Sequence, residues 1–236
     1  MKLSTARCAL SLMRAATLSS LEIRLAQHKD LDAPHLPIDI ETVKGFLDPE
    51  EGAKLYALAA RQAPHGLCVE IGSYCGKSTV YIGTACQSVS GVLLAIDHHY
   101  GSEENQPGEE YFDPDLADPD RAGMSSLRQF RDTMRKASLE DCVIPVLSPS
   151  GNVARVIHGP IAFVFIDGGH SQAAAISDYR NWAGKLMPGG ILAIHDVFPN
   201  PADGGRPPHN IYKTALHSEL FTEEEGVKSL RVLRRL

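Results

Sequence analysis

The sequence has little of several features that mark large classes of proteins. No run approaches the roughly 18 consecutive apolar residues of a membrane span, so we expect no membrane partner. Basic residues are also few: the sequence has 23 Lys and Arg and 29 Asp and Glu, which gives a net charge of −6. Nucleic-acid binding depends on a basic surface, so we expect no nucleic acid as a partner. A small-molecule or oligosaccharide partner fits this composition better.

Paired cysteines are missing as well. The sequence has five cysteines, an odd number, at Cys8, Cys68, Cys75, Cys86 and Cys142. Their spacing is typical of neither a metal site nor a redox pair. Because free thiols persist in a reducing compartment, this usage predicts a cytoplasmic protein.

Residues 1–44 are predicted to be an N-terminal helical extension of one domain at 45–236. The extension places Arg7, Arg14 and Arg24 among Ala, Leu and Ser, a composition that faintly suggests a targeting segment. The apolar stretch between Arg7 and Arg14 is shorter than the roughly 7 to 15 residues of a secretory signal. We therefore prefer an amphipathic helix that packs on the domain, covers the active site, or joins two subunits into a homodimer.

The segment Asp48–Glu51 predicts the start of the first helix of the domain. Asp48 is a suitable cap, Pro49 suits the first helical position, and Glu51 is an acid three residues after the cap. Apolar residues from Leu55 onward recur at helical spacing on one face. This helix is expected to precede the first strand.

A strand, a glycine turn and a helix start follow one another at 67–79. The apolar run Leu67–Ile71 contains Glu70 and leads into Gly72, and Gly76 closes the turn. Ligands of open α/β sheets bind at the carboxyl ends of the strands, which places the Glu70 carboxylate at a ligand site. Amides that open the next helix point into the same space. The pattern is typical of a nucleoside-cofactor cradle, although such turns also occur in proteins that bind nothing there.

Two further segments extend this pattern. The strand Val92–Ile96 ends in Asp97, whose carboxylate is placed to accept hydrogen bonds from two ribose hydroxyls. Pro188–Gly190 leads into the apolar strand Ile191–Ile194. Together with the glycine turn, these motifs resemble the class I S-adenosylmethionine (SAM)-dependent methyltransferases over roughly residues 45–236.

The resemblance implies both a fold and a set of cofactor contacts. The fold is an α/β, Rossmann-like, doubly wound sheet of seven strands, mostly parallel with an antiparallel edge strand. In the resembled family the loop after the third strand lies by the adenine of SAM, which implies a contact from Ser148. The implied cofactor-binding residues are Glu70, Gly72, Ser73, Gly76, Ser78, Asp97, His98, Ser148 and Asp167.

Acids and imidazoles follow two later strands. The apolar run Ile161–Ile166 leads into Asp167-Gly-Gly-His170, and the next strand leads into His195 and Asp196. Oxygen and nitrogen ligands from neighbouring strand ends suit a divalent cation, Mg²⁺ or Mn²⁺, held by Asp167, His195 and Asp196. In the alternative interpretation Asp196 caps a turn and His195 is a buried, satisfied side chain.

Methyl transfer gives these groups a chemical purpose. The sulfonium of SAM is already activated, so the protein must align the acceptor and make it nucleophilic. A bound cation lowers the pKa of a hydroxyl, and a nearby imidazole can then take its proton. We therefore predict Asp167 and His170 as catalytic residues.

One branch of these methyltransferases resembles this sequence more closely, because of the order of Asp167, His170, His195 and Asp196. This order is similar to that in the metal-dependent branch that methylates sugar hydroxyls on macrolides and related glycosides, and more distantly to that in the catechol O-methyltransferases. By that likeness Asp167 and Asp196 hold Mg²⁺ and His170 is the base. This sequence has His195 where those families usually have an acid, which bears directly on metal affinity and metal choice.

An acidic segment at 101–123 follows the second strand. Three prolines deny it regular structure, and it is too long for a simple connection. Its acids are Glu103, Glu104, Glu109, Glu110, Asp113, Asp115, Asp118 and Asp120, against one base, Arg121. Because it leaves the ligand edge of the sheet, we expect it to cover the cofactor and the substrate entrance like a lid. A solvated acidic insertion is the alternative.

The sequence therefore predicts a SAM-dependent O-methyltransferase that acts on a saccharide hydroxyl, with a mannose or glucose oligosaccharide as one candidate acceptor. A catechol or other small phenol is the nearest rival acceptor. An NAD-dependent oxidoreductase is a second class, although the Gly-x-Gly-x-x-Gly turn and a Tyr-x-x-x-Lys pair are both missing. A non-catalytic cofactor-binding protein is a third.

Overall fold

The computed structural model describes residues 34–109, 111–120, 122–169, 171–200 and 203–236. Residues 1–33, which make up most of the predicted N-terminal extension, and His170 lie outside the described residues. The compact unit that carries the sheet is Leu36–Leu236. The helical extension, its boundary at residue 44 and the dimer it would form stay predictions.

One mixed sheet of seven strands forms the centre of this unit. The strands are β1 (Leu67–Ile71), β2 (Leu93–Asp97), β3 (Val143–Leu147), β4 (Ile161–Ile166), β5 (Leu186–Ile194), β6 (Phe221–Val227) and β7 (Leu230–Arg235). Their order is β3-β2-β1-β4-β5-β7-β6. The first five strands pair in parallel, whereas β7 is antiparallel to β5 and to β6. The predicted fold class is confirmed, and β7 lies one position inside the edge that β6 forms.

Six α-helices cover the two faces of the sheet in the described part of the chain. They are α1 (Pro49–Gln62), α2 (Lys77–Ser88), α3 (Leu127–Lys136), α4 (Ser150–Ala154), α5 (Gln172–Trp182) and α6 (Arg206–His217). The first three helices bury one cluster, which includes Leu55 and Phe130. The last three bury the other, which includes Trp182 and Ile211. The sheet is therefore doubly wound.

Strand β4 shows why the sequence adopts this arrangement. All of its residues are buried, as expected for a central parallel strand covered on both faces. Phe163 and Phe165 belong to the first cluster. Val164 and Ile166 belong to the second. Each such side chain contributes about 1.5–3 kcal/mol relative to an exposed position.

The predicted start of α1 is confirmed. Oδ1 of Asp48 accepts the N–H of Glu50 at 2.8 Å, and Pro49 is the first helical residue. Glu51 turns away from the cap, because its side chain is buried and bonds to residues outside α1. Asp48 and Pro49 therefore define this helix terminus without Glu51.

The carboxyl ends of four strands lie level with one another. Ile71 of β1 is in register with Ile96 of β2 and with Ile166 of β4. Ile166 is in turn in register with Ile194 of β5. The residues that follow these four positions therefore meet at one edge of the sheet.

The acidic segment at 101–123 is mostly irregular in its described residues. It has two short 3₁₀ helices, Glu103–Asn105 and Pro114–Leu116, and Ala117 forms an isolated antiparallel bridge with Met124. This agrees with the effect expected of its prolines.

Among the described residues, every helix is too short or too polar to span a lipid bilayer.

Candidate active site

The carboxyl edge of the sheet opens into a cavity of about 970 Å³. Its walls come from the ends of β1 to β5, from the segment before α1, and from the acidic segment at 101–123. The predicted site residues that line it are Gly72, Ser73, Ser78, Asp97, His98, Ser148, Asp167, His195 and Asp196. Glu70 and Gly76 lie behind the wall. The predicted edge thus gathers nearly all of the predicted residues that the structure describes.

Glu70 holds the glycine turn from behind. Its carboxylate is fully buried and accepts hydrogen bonds from Ser73 Oγ at 2.8 Å and Ser78 Oγ at 2.6 Å. Thr79 Oγ1 donates a third bond at 2.6 Å. Burial raises the pKa of Glu70 to about 7, although the three hydroxyl groups act in the opposite direction. Its predicted contact with the cofactor stays a prediction, since these bonds direct the carboxylate into the turn.

The turn itself requires glycine. Gly72 has φ +85°, and a Cβ there would lie 2.1 Å from the carbonyl oxygen of Asp167. Gly76 has φ +94°, a conformation that is strained for a residue with a side chain, and a Cβ there would also lie 2.9 Å from Cε of Met134. The close approach of β1 and β4 thus depends on Gly72, and the entry into α2 on Gly76.

Asp97 fastens the turn from the front. Its Oδ2 accepts the backbone N–H groups of Ser73 at 3.0 Å and Tyr74 at 2.8 Å. Its Oδ1 accepts the N–H of His99 at 2.6 Å. A carboxylate offers about four acceptor positions, so acceptor capacity remains on the cavity side for a ribose hydroxyl.

His98 and Ser148 lie on the wall beside Asp97. The His98 ring stacks on Tyr100 with 6.0 Å between ring centres, and its Nδ1 accepts the Tyr100 N–H at 3.1 Å. Ser148 lies at the end of β3, and its hydroxyl donates to the Pro149 carbonyl at 3.3 Å. Both predicted cofactor residues therefore reach the cavity, where they flank the space beyond Asp97.

Asp167, His195 and Asp196 form a compact cluster. One ligand atom from each lies within 4.8 Å of the others. Nδ1 of His195 is 3.0 Å from Oδ1 of Asp167 and 3.4 Å from Oδ2 of Asp196. Two carboxylates and an imidazole are a donor set that Mg²⁺ or Mn²⁺ accepts, and the cavity leaves the remaining coordination positions open. The three residues therefore fit the predicted metal.

Glu51 is part of this cluster, and the sequence analysis missed it. Its Oε2 lies 2.9 Å from Nε2 of His195, and both side chains are buried. Burial lowers the pKa of His195, but three neighbouring carboxylates outweigh burial and raise it above its usual value. Burial acts to raise the pKa of Glu51, but His195 and Ser229 lower it overall. The available signal was the position of Glu51 on the apolar face of α1, one turn before Leu55.

Aromatic rings surround the mouth of the cavity. Phe46 is 74% exposed and lies edge-on to Tyr111, with 5.7 Å between ring centres. Tyr74 of the glycine turn lies 6.4 Å from Phe46 on the same measure. All three residues line the cavity, and none was predicted to. They offer an apolar surface to a ligand that enters there.

Lys44 ties the acidic segment to the main body of the domain. Its Nζ lies 2.5 Å from Oδ2 of Asp113 and 2.8 Å from Oδ2 of Asp115. The residues of the segment that line the cavity are Gly101, Ser102, Glu103, Glu104, Asn105, Gln106 and Tyr111. The described part of the segment thus borders the cavity as expected, while its action as a lid stays a prediction.

The chain also matches a known family. Residues 69–197, more than half of the chain, match the family described as "Methyltransferase domain". The chain belongs to this methyltransferase family. The match begins in β1 and ends after Asp196, so it spans the glycine turn, Asp97, Asp167, His195 and Asp196 but not Glu51.

Solved structures show the same fold as this methyltransferase. The SAH-bound methyltransferase PaMTH1 of Podospora anserina is 14% identical, with 81% of this chain and 80% of that chain covered and a TM-score of 0.59. The O-methyltransferase NovP is 14% identical over 79% and 80% of the two chains, with a TM-score of 0.61. An O-methyltransferase of Bacillus cereus in complex with SAH is 16% identical over 92% and 91%, with a TM-score of 0.56. At these identities the likeness shows the fold.

Proposed function

We propose that this methyltransferase transfers the methyl group of SAM to an oxygen atom of its acceptor. The observation that carries the proposal is that one cavity joins the glycine turn and Asp97 to the cluster of Asp167, His195 and Asp196. Two structures of the same fold are described as O-methyltransferases, and two as bound to SAH, the product that SAM leaves. The family match argues against the NAD-dependent oxidoreductase.

The cofactor is proposed to lie along the wall from β1 to β3. Asp97 accepts a hydrogen bond from a ribose hydroxyl at its remaining acceptor position, and the adenine lies between His98 and Ser148. Amides at the start of α2 face the same space as the turn. In this position the sulfonium methyl points towards Asp167, which lies across Gly72 from the turn.

The cluster is proposed to hold Mg²⁺ or Mn²⁺ through Asp167, His195 and Asp196. When bound, the cation lowers the pKa of an acceptor hydroxyl and orients it. The protein contributes two negative charges and a fixed imidazole at this point, and the walls of the cavity exclude bulk water from one side of the reacting atoms.

His170 is the proposed general base. In the sequence it follows Gly169, which lines the cavity, and it stands three positions after Asp167. A base in this position takes the proton of the hydroxyl as the methyl group is transferred.

The proposed acceptor is a saccharide, with a mannose or glucose oligosaccharide as the working candidate. The outer wall carries carboxylate and amide groups from Glu103, Asn105 and Gln106, which suit a ligand rich in hydroxyls. The exposed ring of Phe46 favours a second candidate, a catechol or other small phenol, because it offers a flat apolar contact.

The setting and assembly are also proposals. The four described cysteines, Cys68, Cys75, Cys86 and Cys142, are free and buried, which supports a reducing, cytoplasmic environment. A homodimer through the N-terminal extension would need that extension to be amphipathic, as its sequence indicates. Size measurement of the full chain and of a chain that begins at Leu36 tests this dimer.

The decisive experiment is a screen of acceptors with isotopically labelled SAM. Mannose and glucose oligosaccharides and catechol are incubated with the protein and Mg²⁺, and products are analysed by mass spectrometry. A saccharide that gains one labelled methyl group supports the proposal, and labelling of catechol alone contradicts the saccharide assignment. Asp97→Ala serves as the control, because weaker cofactor binding should lower the labelling of every acceptor. No labelling of any acceptor, with SAH still bound, would favour the non-catalytic alternative.

A further inference from the structure

The two oxygens of the Glu51 carboxylate have different partners. Oε1 accepts the N–H and the hydroxyl of Ser229, both at 2.8 Å, and the N–H of Leu230 at 3.1 Å. Oε2 lies 2.9 Å from Nε2 of His195. Glu51 is 3% exposed and His195 is 6% exposed, so water does not compete for these bonds. The carboxylate is therefore held rigidly against one edge of the imidazole.

This contact decides how the imidazole can be used. A carboxylate only accepts hydrogen bonds, so Nε2 of His195 must carry a proton. The other ring nitrogen, Nδ1, faces Asp167 at 3.0 Å and Asp196 at 3.4 Å, so without a cation it carries a proton as well. A cation held by the two aspartates would replace the proton on Nδ1, whereas Glu51 retains the proton on Nε2.

We propose that Glu51 is a positioning residue for the candidate metal centre. It fixes the rotation of the His195 ring and its Nε2–H tautomer, so that Nδ1 is presented to the cation beside Asp167 and Asp196. This inference rests on the proposed metal-assisted function. Histidines that bind metals commonly donate their second N–H to a carboxylate, which orients the ring and raises its basicity as a ligand.

The charge of Glu51 adds to the argument. An imidazole that binds a cation is neutral, so the three candidate ligands would supply only two negative charges. Glu51 places a further negative charge directly behind the ring, at 2.9 Å from Nε2. His195 thus supplies the ligand atom and Glu51 supplies the negative charge. Together they take the place of a single carboxylate ligand at position 195.

Glu51→Gln tests this role with little change in shape. The amides of Ser229 and Leu230 require an acceptor at the position of Oε1, so the glutamine oxygen stays there. Its NH₂ group must then face Nε2 of His195 and donate to it. The ring then keeps a proton only at Nδ1, where Asp167 and Asp196 accept it. Nδ1 can bind a cation only if that proton moves to Nε2, where it would face the glutamine NH₂ group. Ser229→Ala is the matched control, because it removes one bond to Oε1 and leaves Oε2 on His195.

Two measurements on the full chain separate this inference from the proposed function. Calorimetry with Mn²⁺ should show about 10- to 100-fold weaker binding for Glu51→Gln and wild-type binding for Ser229→Ala. ¹⁵N NMR of the histidine rings, with His195 assigned through His195→Asn, should show Nε2 protonated in the wild type and unprotonated in Glu51→Gln.

The outcomes are distinct. An unchanged Mn²⁺ affinity in Glu51→Gln overturns the inference, and so does an unchanged Nε2 signal. If the wild type binds neither Mn²⁺ nor Mg²⁺, the metal-assisted function fails. In that case the NMR result alone decides whether Glu51 sets the tautomer of His195.

Discussion

The carboxylate of Asp97 accepts the backbone N–H of Tyr74 at 2.8 Å, and so joins the end of β2 to the glycine turn. Tyr74 has φ +45°, a left-handed conformation that is unfavourable for a tyrosine. The bond to Asp97, together with the parallel bond from Ser73, holds the turn in this conformation. One side chain therefore both shapes the turn and faces the proposed ribose position.

We expect Asp97→Ala to weaken SAH binding by at least tenfold, because each lost bond to a charged acceptor costs about 1.5–3 kcal/mol. Isothermal titration calorimetry with SAH measures the change. Asp132→Ala is the control, since Asp132 is a partly exposed acid that pairs only with Arg135 among the contacts described. Equal SAH affinity in Asp97→Ala and the wild type would exclude the ribose role.

Glu70 makes the stability of the domain depend on pH. Its pKa is about 7 in the folded protein and 4.5 ordinarily, chiefly because burial disfavours the charged form. The folded state therefore holds its proton more tightly than the unfolded state does. Stability must fall as pH rises from about 4.5 to about 7, and the loss is then complete.

The corresponding experiment compares the wild type with Glu70→Gln, which cannot ionise. The free energy of unfolding in urea is measured for both at pH 5 and pH 8. Between pH 5 and pH 8 the free energy of unfolding of the wild type should fall by about 2 to 3 kcal/mol relative to that of the variant, as the size of the pKa shift requires. A difference between the two proteins that stays constant with pH would show that Glu70 does not titrate in this range.

The candidate metal centre predicts a loss of cation binding when either carboxylate is removed. We expect both Asp167→Asn and Asp196→Asn to abolish Mn²⁺ binding, as measured by calorimetry. Asp196→Asn should leave the affinity for SAH unchanged. Treatment of the wild type with EDTA should suppress methyl transfer, and added Mg²⁺ should restore it. Glu140→Gln, at an exposed acid in the loop before β3, is the control. Turnover that resists EDTA would contradict the metal assignment.

The sequence predicted the parts of this molecule that depend on local pattern. The run of six apolar residues in β4 indicated a strand buried on both faces, and Gly72 and Gly76 indicated the turn. Asp97 and Asp167 could be placed at the ligand edge because parallel strands end on the same side. These are consequences of spacing along the chain, which the sequence displays directly.

The contacts that escaped prediction join residues far apart in the chain. Glu51 and His195 are separated by 144 positions, and Lys44 and Asp113 by 69. Glu51 suited a helix cap by local rules, and its tertiary partners outweighed that role. The hydroxyl partners of Glu70 were also missed, since the direction of a side chain at a strand end depends on the packed turn.

Lys44 is expected to restrain the acidic segment at 101–123. Its ammonium group bonds to Asp113 and Asp115, but Lys44 is partly exposed, so each pair is worth at most about 1 kcal/mol. Lys44→Ala breaks both pairs and should therefore increase hydrogen–deuterium exchange of this segment by up to about 30-fold, the factor for about 2 kcal/mol. Lys228→Ala is the matched control, because it breaks a similar surface pair with Asp48. Equal exchange in both variants would show that the segment is held by its other contacts.

His170 is expected to act on the chemical step alone. We predict that His170→Ala lowers turnover by about 10²- to 10⁴-fold, the usual contribution of a general base, with SAH and Mn²⁺ affinities unchanged. His217→Ala, at an exposed histidine at the end of α6, is the control for loss of an imidazole. If His170 is the base, turnover of the wild type should fall at low pH as this imidazole becomes protonated. In His170→Ala that fall should be missing, because the group that must be deprotonated has been removed. A loss smaller than tenfold, with the fall at low pH retained, would assign the proton transfer to another residue.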